Sequence, residues 1–80
     1  MNDDQFITRI GELVDEEHAL ERAIQAEGAT EETDQRLRQL EVALDQCWDL
    51  LRQRRARRST GENPDEANVR DPEIVEHYQQ

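Results

Sequence analysis

Lysine is absent from this chain of 80 residues, so all ten basic side chains are arginines. That bias points to a GC-rich genome rather than to chemistry. A single cysteine, Cys47, rules out an internal disulfide. The stretch after Met1 has no positive segment leading into an apolar one, so the expectation is a cytoplasmic protein, not a secreted and disulfide-stapled one. No apolar run comes near the ~20 residues needed to cross a bilayer, which excludes a membrane-spanning reading. There is one phenylalanine, one tryptophan and one tyrosine, too few for a ladder of rings on which bases could stack. Leu, Ile, Val and Phe supply only 16 of the 80 side chains, at the edge of the compositions that stay unfolded when charge is high. A single small domain with so little apolar stock needs efficient helix pairing, helped by a second copy.

What the chain has in quantity is charge, mostly negative: 20 acids give a net charge of −10. Such a surface repels nucleic acid and anionic lipid as a whole and favours solubility and cationic partners. The charge is segregated along the chain. Residues 1–51 carry 14 acids and four arginines, residues 52–58 carry five arginines and no acid, and residues 59–80 carry six acids and one arginine. The basic block belongs to the stretch Leu44–Arg58, LDQCWDLLRQRRARR, which also holds the only tryptophan and the only cysteine. The rest of the sequence is patterned to pack against this stretch or to neutralise it.

Asn2 and Gln5 have the spacing of a capping box, predicting a helix from Asp3. Apolar residues then recur at Phe6, Ile10, Leu13, Leu20 and Ile24 in steps of four and three, with Ile7 and Val14 widening the stripe and Glu17 occupying one seam position. Gly11 weakens this helix by about 1 kcal/mol relative to alanine, and Gly28 supplies its C-terminal stop. Thr30 is an N-cap residue, with Glu31 and Glu32 in a first turn where the helix dipole favours acids. The second seam reads Leu37, Leu40, Leu44, Cys47, Leu51 and continues to Arg54 and Arg58. Two helices of similar length, about 3–27 and 31–58, form an all-α antiparallel two-helix hairpin of coiled-coil type. Pairing across the turn brings Phe6 near Arg54, Ile10 near Leu51, Leu13 near Cys47 and Trp48, and Glu17 near Leu44. Residues 59–80 form an acidic tail. Asn63-Pro64-Asp65-Glu66 and Asp71-Pro72-Glu73 each carry the signal of a short helical turn, with Val69, Ile74, Val75 and Tyr78 available to dock. Turns and partial disorder both remain open for this segment.

Three features invite chemistry. Asp15, Glu16, Glu17 and His18 have the spacing of bundle metal ligands, but Asp15 and His18 face away from the seam, where a second helix does not converge on them. Solvated charge is therefore the reading, with no metal and no cofactor. Glu17 stands where a leucine belongs. Either it bends to solvent or it accepts a hydrogen bond from the Trp48 indole that fixes the register, and the hydrogen bond is preferred to a catalytic role. Arg52, Arg54, Arg55, Arg57 and Arg58 could neutralise phosphates. Yet cations stabilise a helix C-terminus, Asp3 and Asp4 lie close by in the hairpin, and six tail acids follow, so internal neutralisation is preferred and nucleic acid is not the expected partner. Cys47 is a small buried hydrophobe with no histidine to activate it. The apolar faces exceed what one helix pair covers: the tail, or a second hairpin completing a four-helix bundle, must cover the remainder.

The segments Glu12–His18, Leu44–Ala56 and Pro64–Ala67 resemble small, mainly actinobacterial helical-hairpin proteins grouped as domain of unknown function 2630. The resemblance implies a cytosolic helical protein of a high-GC bacterium and supplies no activity. The sequence thus points to a non-enzymatic interaction or adaptor protein, self-associating as a dimer and meeting an unidentified protein partner. Its candidate surface comprises Glu17, Trp48, Leu50, Leu51 and the arginines 52, 54, 55, 57 and 58, with no catalytic residue. The alternatives are a nucleic-acid-associated regulator using Arg52–Arg58 and a small metal-binding helical bundle.

Overall fold

A computed structural model describes residues 2–70, and the second tail turn expected at Asp71-Pro72-Glu73 lies outside the described residues, as do Ile74, Val75 and Tyr78. Helix α1 (Asp3–Glu27) starts where Asn2 caps it. The Asn2 side chain accepts the Gln5 backbone N–H at 2.9 Å, and the Gln5 side chain accepts the Asn2 N–H at 2.8 Å. It ends at Gly28, whose φ of 88° is open to glycine and strained for other residues, and whose N–H donates to the Ile24 carbonyl. Helix α2 (Glu31–Ser59) is capped by Thr30 in a box completed by Thr33. At its far end Gly61, φ 79°, lets the chain reverse: Gly61 N–H reaches the Arg58 carbonyl and Glu62 N–H the Arg57 carbonyl, the paired bonds of a Schellman stop. A single 3₁₀ turn, Pro64–Glu66, follows, capped by Asn63.

The two helices lie side by side as an antiparallel hairpin. At 1.5 Å per residue α2 alone is about 43 Å long, and the molecule measures 50 × 24 × 17 Å, so it is a rod one helix pair thick. Its core is correspondingly thin: Phe6, Ile10 and Leu13 from α1 meet Leu40, Leu44 and Leu51 from α2, with Val14, Leu20, Ala43, Cys47 and Leu50 packed at the edges. The seam expected from periodicity is largely the buried line, except that Leu20, Ile24 and Leu37 towards the connecting loop and Cys47 in the middle are only half-buried and Arg58 at the far end is exposed.

Two expectations about packing are corrected. Glu17 is half-buried at the rim of the seam, and among the described residues no hydrogen bond joins it to Trp48, which is 41% exposed. A carboxylate on two flexible methylenes reaches solvent from a rim position, so its desolvation is avoided rather than compensated. The carboxylate that is buried is Asp49, 2% exposed. Val69, expected to dock, is exposed.

Candidate functional site

At the open end of the rod three segments converge on the arginine block. Arg54 continues the α2 seam one step beyond Leu51 and is 7% exposed. Its Nε donates to Asp3 Oδ1 at 2.8 Å and its Nη1 to Asp65 Oδ1 at 2.8 Å, so one guanidinium ties the start of α1 to the tail. The guanidinium carbon stands 5.7 Å from the Phe6 ring centroid, within cation–π range. Arg58 Nη2 donates to the same Asp3 oxygen at 2.6 Å. Held by Arg58 and Arg54, the Asp3 carboxyl falls to about 2, and Arg54 lowers Asp65 in the same way. In return Asp3 and Asp65 raise Arg54, and Asp3 raises Arg58. Arg57 pairs with Glu62 at 3.4 Å and Glu66 at 3.7 Å. The block is thus extensively neutralised by the protein's own acids from both sides in sequence. Fork-shaped donors suit this bridging because one rigid plane satisfies two carboxylates at once.

Beside this network the tail covers the outer side of α2. Gln53 Nε2 donates to Asp49 Oδ2 at 2.8 Å and to the Asn68 carbonyl at 2.6 Å, while Gln53 Oε1 accepts the Asn68 N–H at 3.2 Å. Arg70 approaches Asp49 at 3.5 Å. A cleft of about 70 Å³ lies among Asp49, Arg52, Gln53, Ala56 and Arg70. Asp49 faces away from α1, so helix periodicity assigns it to solvent. The only sequence signal for its burial is the polar, turn-forming segment that follows α2 and has to lie somewhere.

The flanks of the hairpin differ. In heptad notation the e residue follows a core d residue and the g residue precedes a core a residue. In an antiparallel pair the two helices wind oppositely along a common direction, which sets e beside e and g beside g. Glu16 and Arg36, both g, form an interhelical bridge along this flank, Arg36 Nε donating to Glu16 Oε2 at 2.6 Å. Arg57, also g, is held by the tail. The g flank is therefore bridged and strapped. On the e flank stand Ile7 (50% exposed), half-buried Val14 and Trp48, with Glu21, Glu41 and Arg55 at its ends, none of the three in an ion pair among the described residues.

The residues singled out from sequence consequently separate. Leu51 is 1% exposed and Arg54 is buried. Both belong to the interior rather than to an accessible surface, because the seam continues through them. Leu50, Arg52 and Arg57 are half-buried, and Arg55, Arg58 and Trp48 are exposed. Cys47 is half-buried, and burial raises its thiol although Arg9 acts in the opposite direction. His, Cys, Asp and Glu side chains nowhere gather in threes as metal ligands among the described residues. No described helix is long and apolar enough to cross a membrane.

Residues 2–80 match the family described as "Protein of unknown function (DUF2630)". The chain belongs to that family. Uncharacterized proteins of Mycobacterium bovis and of two strains of Mycobacterium tuberculosis are each 51% identical to it over 77 residues, spanning 95% of this chain and 88% of theirs. No solved structure matches the chain. The relatives' descriptions carry no activity.

Proposed function

We propose that this protein is a non-enzymatic, cytoplasmic interaction module that works by self-association through the face of its helical hairpin. The observation that carries the reading is the e flank: a tryptophan and an isoleucine, each close to half exposed, stand on a rigid helix pair whose other flank is already bridged and strapped. Large aromatic and aliphatic side chains grouped on one rigid face are the usual anchors of a protein–protein contact. The engagement of Arg54, Arg57 and Arg58 by Asp3, Asp65, Glu62 and Glu66 favours this reading over phosphate binding by the same arginines. Sedimentation equilibrium of the full-length protein at micromolar concentration tests it. A dimer is expected, weakened by about tenfold or more in Trp48→Ala, as for an interface anchor. A strictly monomeric wild-type protein overturns the reading, and tight duplex-DNA binding at physiological salt puts the arginine block in its place.

A further inference from the structure

We infer that the e flank is self-complementary and takes a second copy of this chain face to face and reversed in direction, with Trp48 meeting Trp48 at the centre. The inference rests on the self-association proposed above and specifies its geometry. Along α2 the e positions are Asp34, Glu41, Trp48 and Arg55, and the last three place an acid and a base equally spaced about an aromatic ring. Reversing a second α2 over the first sets each Arg55 opposite the other copy's Glu41. Neither side chain has an ion pair within its own chain among the described residues. Along α1 the e positions Ile7 and Val14 flank Gly11, and reversal sets Ile7 of one copy opposite Val14 of the other. Above Gly11 the space is open, with nothing beyond its own turn of helix within 4 Å of where a Cβ would stand, so two α1 backbones can approach there.

These two centres lie at the same height on the hairpin. Asp3 binds both Arg54 and Arg58 and so stands level with the middle of that turn. From there, chain of equal length leads back to Trp48 along α2 and forward to Gly11 along α1, while Arg9 acts on the neighbouring Cys47 thiol. One twofold axis, perpendicular to the helices and passing between the stacked faces beside Gly11 and Trp48, therefore satisfies both pairings. That is the requirement of an isologous contact, in which residue i meets j and j meets i. The product is a four-helix bundle whose two tails lie on its outer sides. Stacking in the same direction instead leaves Arg55 about 21 Å along the axis from Glu41, at 1.5 Å per residue.

Charge reversal and cross-linking test the arrangement on the full-length chain. Arg55→Glu and Glu41→Arg are each expected to weaken the dimer, by ~10-fold with two surface pairs turned from attraction to repulsion, and the combined Arg55→Glu/Glu41→Arg protein recovers wild-type association. With Cys47→Ser as background, Gly11→Cys is expected to cross-link to its own copy through a short bismaleimide. Ala29→Cys in the connecting loop is not, because reversed copies hold their loops ~50 Å apart. Far-UV circular dichroism verifies that each variant keeps its helices. A dimer in which the combined variant does not recover, or in which Ala29→Cys links and Gly11→Cys does not, overturns this geometry and leaves self-association standing. A monomeric wild type removes both.

Discussion

The two ends of the rod are built from the same seam but closed in different ways. At the open end Leu51 is sealed from solvent, Phe6 is capped by the Arg54 guanidinium, and Asp3, Arg54, Arg58 and Asp65 tie α1, α2 and the tail together. Towards the loop end Leu40 is as sealed as Leu51, but Leu20, Ile24 and Leu37 stay half-exposed, Glu17 interrupts the apolar line, and one surface bridge, Glu16–Arg36, spans the helices. Covalent connection through three loop residues keeps the helices together at that end without help. At the other end α1 begins and α2 finishes with nothing joining them, so packing and ion pairs must do what the loop does for free. The open end is therefore closed by packing and ion pairs together, whereas towards the loop the covalent connection is joined by a single sealed leucine of α2, Leu40.

The largest expected effect breaks this comparison directly. Leu51→Ala should cost about 2–5 kcal/mol, as for a fully buried leucine, and Leu37→Ala well under half of that because it is already half in water. Urea unfolding followed by circular dichroism measures both, and equal losses would mean that the two ends share one uniform core. Next in size is the acid sensitivity of the open end. The Asp3 carboxyl lies below its ordinary value of 3.8, at about 2. A carboxyl lowered on folding contributes stability that is present above its unfolded value and lost as pH falls through the folded one. Asp3→Asn should thus be less stable than wild type at pH 6, and the difference should close between about pH 4 and pH 2. A thermal melting series of the two proteins measures it, and a gap that persists at pH 2 would assign the loss to something other than the ion pairs. The smallest effect sharpens the comparison from the loop side. Glu17→Leu completes the apolar line and should raise the melting temperature by a few degrees, because a rim carboxylate has little to lose on removal. A fall in melting temperature would show that the carboxylate has a structural partner after all.

How much of this was legible in the sequence follows from how local each determinant is. The Asn2–Gln5 box, Thr30, Gly28 and Asn63-Pro64 each act within a few residues, and all lie where their patterns place them. Seam periodicity found Phe6, Ile10, Leu13, Leu40, Leu44 and Leu51, and the continuation of that seam into Arg54 foretold its meeting with Phe6. Burial of Asp49 was hidden because it depends on where a segment without periodicity comes to rest, fifteen or more residues further on. The same reason explains the exchange of roles between Glu17 and Asp49. Heptad position reports which side faces the partner helix, whereas solvent access also depends on side-chain reach and on whatever covers the back. Trp48 was expected to need a cover, and within the hairpin it finds too little: the e side of α1 at that height offers Gly11, which has no side chain to lend.

The manner in which Gln53 meets Asn68 has a consequence for how freely the tail can vary. One side-chain amide reads one peptide unit, its nitrogen and oxygen matching the carbonyl and N–H of residue 68 as a neighbouring strand would. Recognition of this kind is blind to what projects from the α-carbon. At this one point, unlike at Asp65, Glu62, Glu66 and Arg70, the grip on the tail is consequently written on the helix side. Position 68 can change its side chain and still be held, with proline excepted for want of an N–H, whereas replacing the amide at position 53 by a carboxylate would set like charge against Asp49 and remove the donor in a single step.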